Sequence, residues 1–146
     1  MKKKIALFAV SALALVAIIA GVSIYKYQDA LKVRSFSISD YQEHIDEYDG
    51  YMELYKEYYP ELYITSIAPF SDADTLRTIA DELWVEIYGE ESMKKQKPYL
   101  VFYDDENDAW CIYGTFKKSI FVSRKGGVAH MIVKPDGKVL ALWHDK

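Results

Sequence analysis

The residues of this chain that could do chemistry are three histidines, one cysteine and 22 carboxylates. His44 stands beside Glu43 and close to Glu47 and Tyr48. His130 falls in a strand-like run, on the side shared by Val128 and Ile132. His144 and Asp145 form a terminal dipeptide of the kind that faces solvent. A metal site needs several ligands at fixed spacing, and no spaced partner completes a set around any of these histidines. A lone histidine on an apolar strand face reads as a hydrogen-bonded core residue. The serines show no G-x-S-x-G nucleophile elbow. Gly126-Gly127 lacks the further glycines and the following helix of a phosphate loop. The acids from Asp104 to Asp108 lack the ligand spacing of a calcium loop and read as a solvated hairpin tip. Cys111 is the single cysteine, which rules out an intramolecular disulfide and a Cys-rich metal site. Its alternation with Trp110 and Ile112 marks it as a buried thiol. The chain is therefore expected to bind rather than catalyse, with no metal and no cofactor.

Whatever these residues do, a helix and a run of short strands must position them. Ser71 or Asp72 is placed to cap a helix, and Ser71 with Asp74 resembles a capping box. Leu76, Ile79, Ala80, Leu83 and Ile87 recur at helical spacing and share one face, which Trp84 and Tyr88 widen. Gly89 stands where a left-handed C-cap belongs, since a residue without Cβ adopts that conformation cheaply. Residues 99–103, 109–116, 128–134 and 139–143 read as strands, with 117–125 ambiguous. Asp104 to Asn107 form one turn and Pro135-Asp136-Gly137-Lys138 another. Short connections favour an antiparallel meander, so the fold class is α+β: helices on a curved antiparallel sheet.

A second helix is expected over 41–59, where Tyr41, Ile45, Tyr48, Met52, Tyr55 and Tyr59 form a stripe. Ser39 with Gln42, or Asp40 with Glu43, would box its start, and Pro60 would stop it. Tyr51, Leu54 and Tyr58 fall outside that stripe and suit a partner, since tyrosine joins a large contact area to a polar tip. Residues 62–69 read as a short edge strand or an extended connector.

Charge is unevenly spread. Residues 1–34 carry +5, residues 40–61 carry −7 and residues 62–146 carry −2. An acidic body disfavours nucleic acid, whose phosphates need a basic surface. Lys2, Lys3 and Lys4 precede twenty uncharged residues, 5–24. At about 1.5 Å per residue these would span a bilayer of about 30 Å. The length favours a retained signal anchor over a cleaved leader, whose apolar core is shorter. The lysines put the N-terminus in the cytoplasm. The expected location is the inner or plasma membrane, single-pass, with the C-terminal domain periplasmic or otherwise extracytoplasmic. The expected division is 1–34 tip and anchor, 35–70 acidic tyrosine-rich helix and connector, and 71–146 α+β domain, with 35–40 a polar linker.

The series Ala80, Trp84, Tyr88-Gly89, Lys97-Pro98-Tyr99, Trp110, Gly114, Gly126-Gly127 and Lys134-Pro135-Asp136-Gly137-Lys138-Val139-Leu140 carries a resemblance. It resembles the NTF2-fold immunity protein family of bacterial polymorphic-toxin systems, over about residues 69–145. That resemblance implies a helix packed on a curved antiparallel sheet, and a non-enzymatic role in binding and blocking a cognate protein toxin. It assigns no contact residues. Two acidic patches are the candidate contacts read from the residues themselves. One is Glu43, Glu47 and Glu57 with Tyr51 and Tyr58; the other is Asp104, Asp105 and Glu106. Acidic rims speed capture of a basic partner. A small-molecule pocket inside an NTF2-like cone and a structural envelope role stay open as alternatives.

Overall fold

In the computed structural model, the backbone is described for residues 2–116 and 127–145, and side chains from residue 15 within those ranges. Contacts divide the chain into two units, Met1–Lys32 and Val33–Lys146. The first is the helix α1, Lys2–Ala30, which ends in an ion pair between Lys32 and Asp29 at 3.0 Å. Among the described residues no helix is long and apolar enough to cross a membrane. The run 5–24 falls partly on residues 5–14, whose side chains lie outside the described set.

The second unit is α+β. Its elements are β1 (Val33–Ser35), α2 (Gln42–Tyr58), α3 (Ala73–Tyr88), a short α4 (Glu90–Lys94), β2 (Leu100–Asp104), β3 (Ala109–Tyr113), β4 (Ala129–Val133) and β5 (Val139–His144). The five strands form one sheet in the order β1-β2-β3-β4-β5. The expected antiparallel meander is β2 to β5, and β1 adds a parallel edge beside β2. Strand β1 and a 3-10 turn at Ile38–Tyr41 occupy part of the stretch expected to be linker. The ambiguous stretch 117–125 and Gly126 lie outside the described residues.

Helix α3 begins at Asp72, not Ser71. The Asp72 carboxylate accepts from the Asp74 and Thr75 N–H groups at 3.0 and 2.8 Å, satisfying donors that the first turn leaves open. These bonds hold its carboxyl below the usual carboxylate range, the Thr75 N–H contributing most. Leu76, Ala80 and Trp84 are fully buried, while Ile79, Leu83 and Ile87 are half-buried. Trp84 therefore lies at the centre of the buried stripe rather than on its margin. Gly89 ends the helix at φ 85° and ψ 147°, an extended positive-φ conformation open to glycine rather than the expected left-handed cap.

Register divides the sheet into two faces. Val101, Ile112, Met131 and Leu142 lie opposite one another along one face, and Phe102, Cys111, Ile132 and Ala141 along the other. Helix α3 covers the first. Trp84 meets the Tyr99 ring edge-on at 5.0 Å, and Phe70, just before the helix, meets Trp110 edge-on at 5.8 Å. Asp81 accepts from the Tyr99 hydroxyl at 2.6 Å and from Lys97 at 2.7 Å. The second face takes the start of α2, where Tyr41 and His44 lie against Trp143. Cys111 is buried there, 1% exposed, and burial pushes its thiol up to about 12.

Helix α2 carries no side-chain cap, so neither expected capping box forms; the 3-10 turn enters it directly. Tyr41, Ile45, Met52 and Tyr55 pack on the core and Tyr48 is buried, whereas Tyr59 is 49% exposed and leaves the stripe. The stretch 62–69 is an extended connector. It bonds to the β4–β5 turn through Ile67 N–H to Gly137 O and Val139 N–H to Thr65 O. The Tyr48 hydroxyl fastens α2 to it, donating to Ile64 O at 2.8 Å. Tyr48→Phe is expected to lower stability by about 1 kcal/mol in chemical denaturation, the usual net worth of one such bond.

Candidate functional site

Helix α2, the end of β5 and the last turn of α3 converge on a groove of about 500 Å³. Glu47, Tyr51 and Tyr55 come from α2, Tyr88 closes α3, and Trp143, His144 and Asp145 come from the end of β5. The elements place these side chains for local reasons. On α2, Glu47, Tyr51 and Tyr55 are four residues apart and stand above one another on one flank. Tyr88 sits one turn beyond the buried Trp84. The pair His144-Asp145 is tied to the sheet. Asp145 N–H bonds to Val128 O, and Gly127 packs so closely that a Cβ there would collide with the Asp145 backbone.

The floor beside the groove is an aromatic row crossing the second sheet face. Phe102 stacks on Tyr113 at 5.1 Å, and Tyr113 meets His130 at 5.2 Å. His130 lies parallel to Trp143 at 4.6 Å, and Trp143 lies parallel to His44 at 4.3 Å. Direct cross-strand pairing of Tyr113, His130 and Trp143 produces this row. Both faces of the Trp143 ring are thus covered by imidazoles, and its edge is what remains for the groove.

His130 is the core histidine expected from its strand face. Its side chain is 13% exposed, and its Nε2 lies 2.8 Å from the Asp145 carboxylate. Its Nδ1 has no hydrogen-bond partner among the described residues. Burial lowers its pKa from the usual histidine value, opposed by Asp145 and assisted by His44 and His144. The unfolded chain therefore binds a proton at higher pH than the folded one. The stability that neutral His130 contributes is complete above the usual value of about 6.5 and is lost as pH falls through the lowered folded value. Melting curves from pH 7 to pH 5 are expected to show a decline that His130→Gln flattens. Asp72 and Asp81, both held low, lose their contributions only in the more acidic carboxylate range.

Burial pushes Tyr48 and Tyr88 up to about 12, and burial, Tyr51 and Glu47 together raise Tyr55. All are neutral donors at physiological pH. Tyr51, Tyr55 and Tyr88 have no hydrogen-bond partner among the described residues, and Glu47 has no ion-pair partner among them. The groove thus offers ring faces, free hydroxyls and carboxylates. Among the described residues no cluster of three or more histidine, cysteine or acidic side chains is arranged to hold a metal ion.

The residues named from sequence are divided by the structure. Glu47 and Tyr51 join the groove, and Glu43 is exposed on the same helix outside its lining. Glu57 and Tyr58 form a separate shallow patch with Leu54 and Lys56. Asp105 and Glu106 are exposed at the β2–β3 tip, but Asp104 is buried, 3% exposed. Its carboxylate accepts from the Ile38, Glu106 and Asn107 N–H groups and from the Asn107 amide, so it ties the β2–β3 turn to the 3-10 turn that leads into α2. Those bonds, Ile38 first, keep its carboxyl low. It does not belong to an exposed acidic rim. His144 and Asp145 were hidden from sequence reasoning as groove residues, and Tyr55 and Tyr88 were read only as members of their helices' apolar stripes. The only signal for His144 and Asp145 was Trp143, an aromatic at a strand end beside a histidine and an acid.

Residues 75–146 match the model of a known family, described as NTF2 fold immunity protein. The match begins inside α3 and takes in β2 to β5, so it includes Tyr88 and the β5 side of the groove and leaves out α2. The resemblance read from the residue series is thereby found over that segment. No curated protein and no solved structure matches the chain.

Proposed function

We propose that this protein, with the NTF2 fold immunity match over its C-terminal half, binds and neutralises a cognate bacterial toxin. The match over residues 75–146 carries the reading. The groove supports it: phenols and a carboxylate unpaired among the described residues, beside a helix with six acids and one lysine, form a surface suited to a basic protein. The role is binding without catalysis, and Glu47 and Tyr51 stand at the contact, with Glu43 at its rim.

The place of action is the cell envelope. The twenty uncharged residues after Lys4 tether the chain, and Val16, Ile18, Ile19 and Ile24 of α1 are exposed apolar side chains that lipid would cover. The lysines place the N-terminus inside and the C-terminal domain outside the cytoplasm. A toxin that enters through the envelope would meet the tethered domain first.

The test is co-expression with the product of the adjacent gene. Wild type is expected to restore growth and to co-purify with the toxin. A Glu43→Lys, Glu47→Lys variant is expected to lose protection, while Asp105→Lys, Glu106→Lys at the distant tip keeps it. No protection and no complex with any neighbouring gene product would overturn the reading. A non-catalytic ligand-binding envelope protein is the second reading. Its support is the groove's volume, which lies within the range of small-molecule sites, about 300–1,000 Å³.

A further inference from the structure

We propose that the groove receives an arginine side chain presented by the protein partner, seated on the rings of Tyr51 and Tyr55 and paired with Glu47 and Asp145. The inference rests on the toxin-binding reading and adds to it the chemistry of the contact.

Four observations converge on a planar cation. The rings of Tyr51 and Tyr55 are neighbours at 5.8 Å, tilted by 31°, and Tyr51 is 44% exposed, so one side of the pair is open. Glu47 lies close enough to Tyr55 to raise its pKa and has no cation of its own among the described residues. Asp145 supplies a second carboxylate, held in place by its backbone bond to Val128 and by His130. The Tyr88 hydroxyl, unpartnered among the described residues, lies at the same groove. A guanidinium is the side chain that uses all of these together. It stacks flat on phenol rings, donates from several N–H groups to carboxylates in its own plane, and loses less hydration than an ammonium. The lone Lys56 of α2 does not compete, because it lies on the other patch with Glu57 and Tyr58.

A neutral ligand would find the same rings and hydroxyls but would leave Glu47 without a counter-charge. An acidic ligand would meet two carboxylates and a helix whose surroundings, residues 40–61, carry −7. The charge of the groove therefore selects its occupant.

The probe is a blocked Gly-Arg-Gly peptide, compared with the same peptide carrying citrulline, which has the shape of arginine without its charge. Binding to the full chain in detergent micelles is read from the indole N–H signal of Trp143, assigned with Trp143→Phe. The arginine peptide is expected to bind saturably and the citrulline peptide at least about fivefold more weakly, as the loss of one charge-assisted bond implies. Glu47→Gln sits on an exposed helix flank and is expected to fold normally and to reduce that preference, leaving the part owed to Asp145. Glu57→Gln, on the other patch, is expected to leave it unchanged. Equal shifts with arginine and citrulline, or a preference that Glu47→Gln leaves undiminished, would overturn the inference. An arginine preference in a protein that protects against no neighbouring toxin would remove the toxin reading and leave the chemistry of the groove standing. Protection by wild type without any arginine preference would do the reverse.

Discussion

Trp84→Ala is expected to lower stability by about 3–5 kcal/mol, the usual cost of truncating a large buried aromatic. Trp84 is fully buried at the centre of the α3 stripe, between Ala80 and Tyr88, and its ring meets Tyr99 edge-on. Removing it opens a cavity at the main helix–sheet contact, and the helix has no other large buried side chain except Leu76 with which to refill it. The control is Trp84→Phe. The indole Nε1 is buried and has no hydrogen-bond partner among the described residues, so losing that group sacrifices no bond. Phenylalanine should therefore recover most of the loss. Chemical denaturation of the full chain followed by far-UV circular dichroism checks both. An unchanged midpoint for Trp84→Ala would place the indole outside the core.

Gly137→Ala is expected to cost about 2–4 kcal/mol, through two separable causes. The residue turns the chain between β4 and β5 at φ 92°, where a side chain is strained. A Cβ there would also collide with the backbone carbonyl oxygen of Ile67, because the connector runs across this turn and bonds to it. Gly89→Ala separates the causes. It has φ 85° and ψ 147°, but a Cβ would meet open space, so it carries only the conformational part, about 1–3 kcal/mol. The difference between the two variants measures how tightly the connector is held. Equal losses would show that the connector yields, and the contact of residues 66 and 67 with the turn would then be loose.

Several features were legible because their causes are local. The α3 helix announces itself by apolar spacing, an acid at its start and a glycine at its end, all within one stretch of chain. The turn at 135–138 follows from proline and glycine φ preferences, and the pairing of β2 with β3 and of β4 with β5 from the short connections between them. Cys111 and His130 were placed in the interior by strand alternation, and both are there. The family resemblance lay in the same segment, residues 75–146.

The groove was not legible, because it is made of residues far apart in the chain. Glu47 and Asp145 come within reach only when α2 lies beside β5, and no local pattern specifies that meeting. Both His144 and Asp145 were expected to be exposed from their position; Asp145 is, but His144 is half-buried against Tyr88, and what fixes Asp145 is a backbone bond to Val128 and an imidazole from the neighbouring strand. Asp104 shows the same limit from the other side. By sequence it is one acid among several at a polar turn, and only the approach of Ile38 turns its carboxylate inward as an acceptor. Strand β1, three residues long, is too short to show a period and exists through pairing with β2. Sequence determines which surfaces are apolar and where the backbone can turn, since those follow from each residue and its near neighbours. Tertiary structure decides which charges lose their water and which stay free to bind, since that depends on what the rest of the chain brings against them.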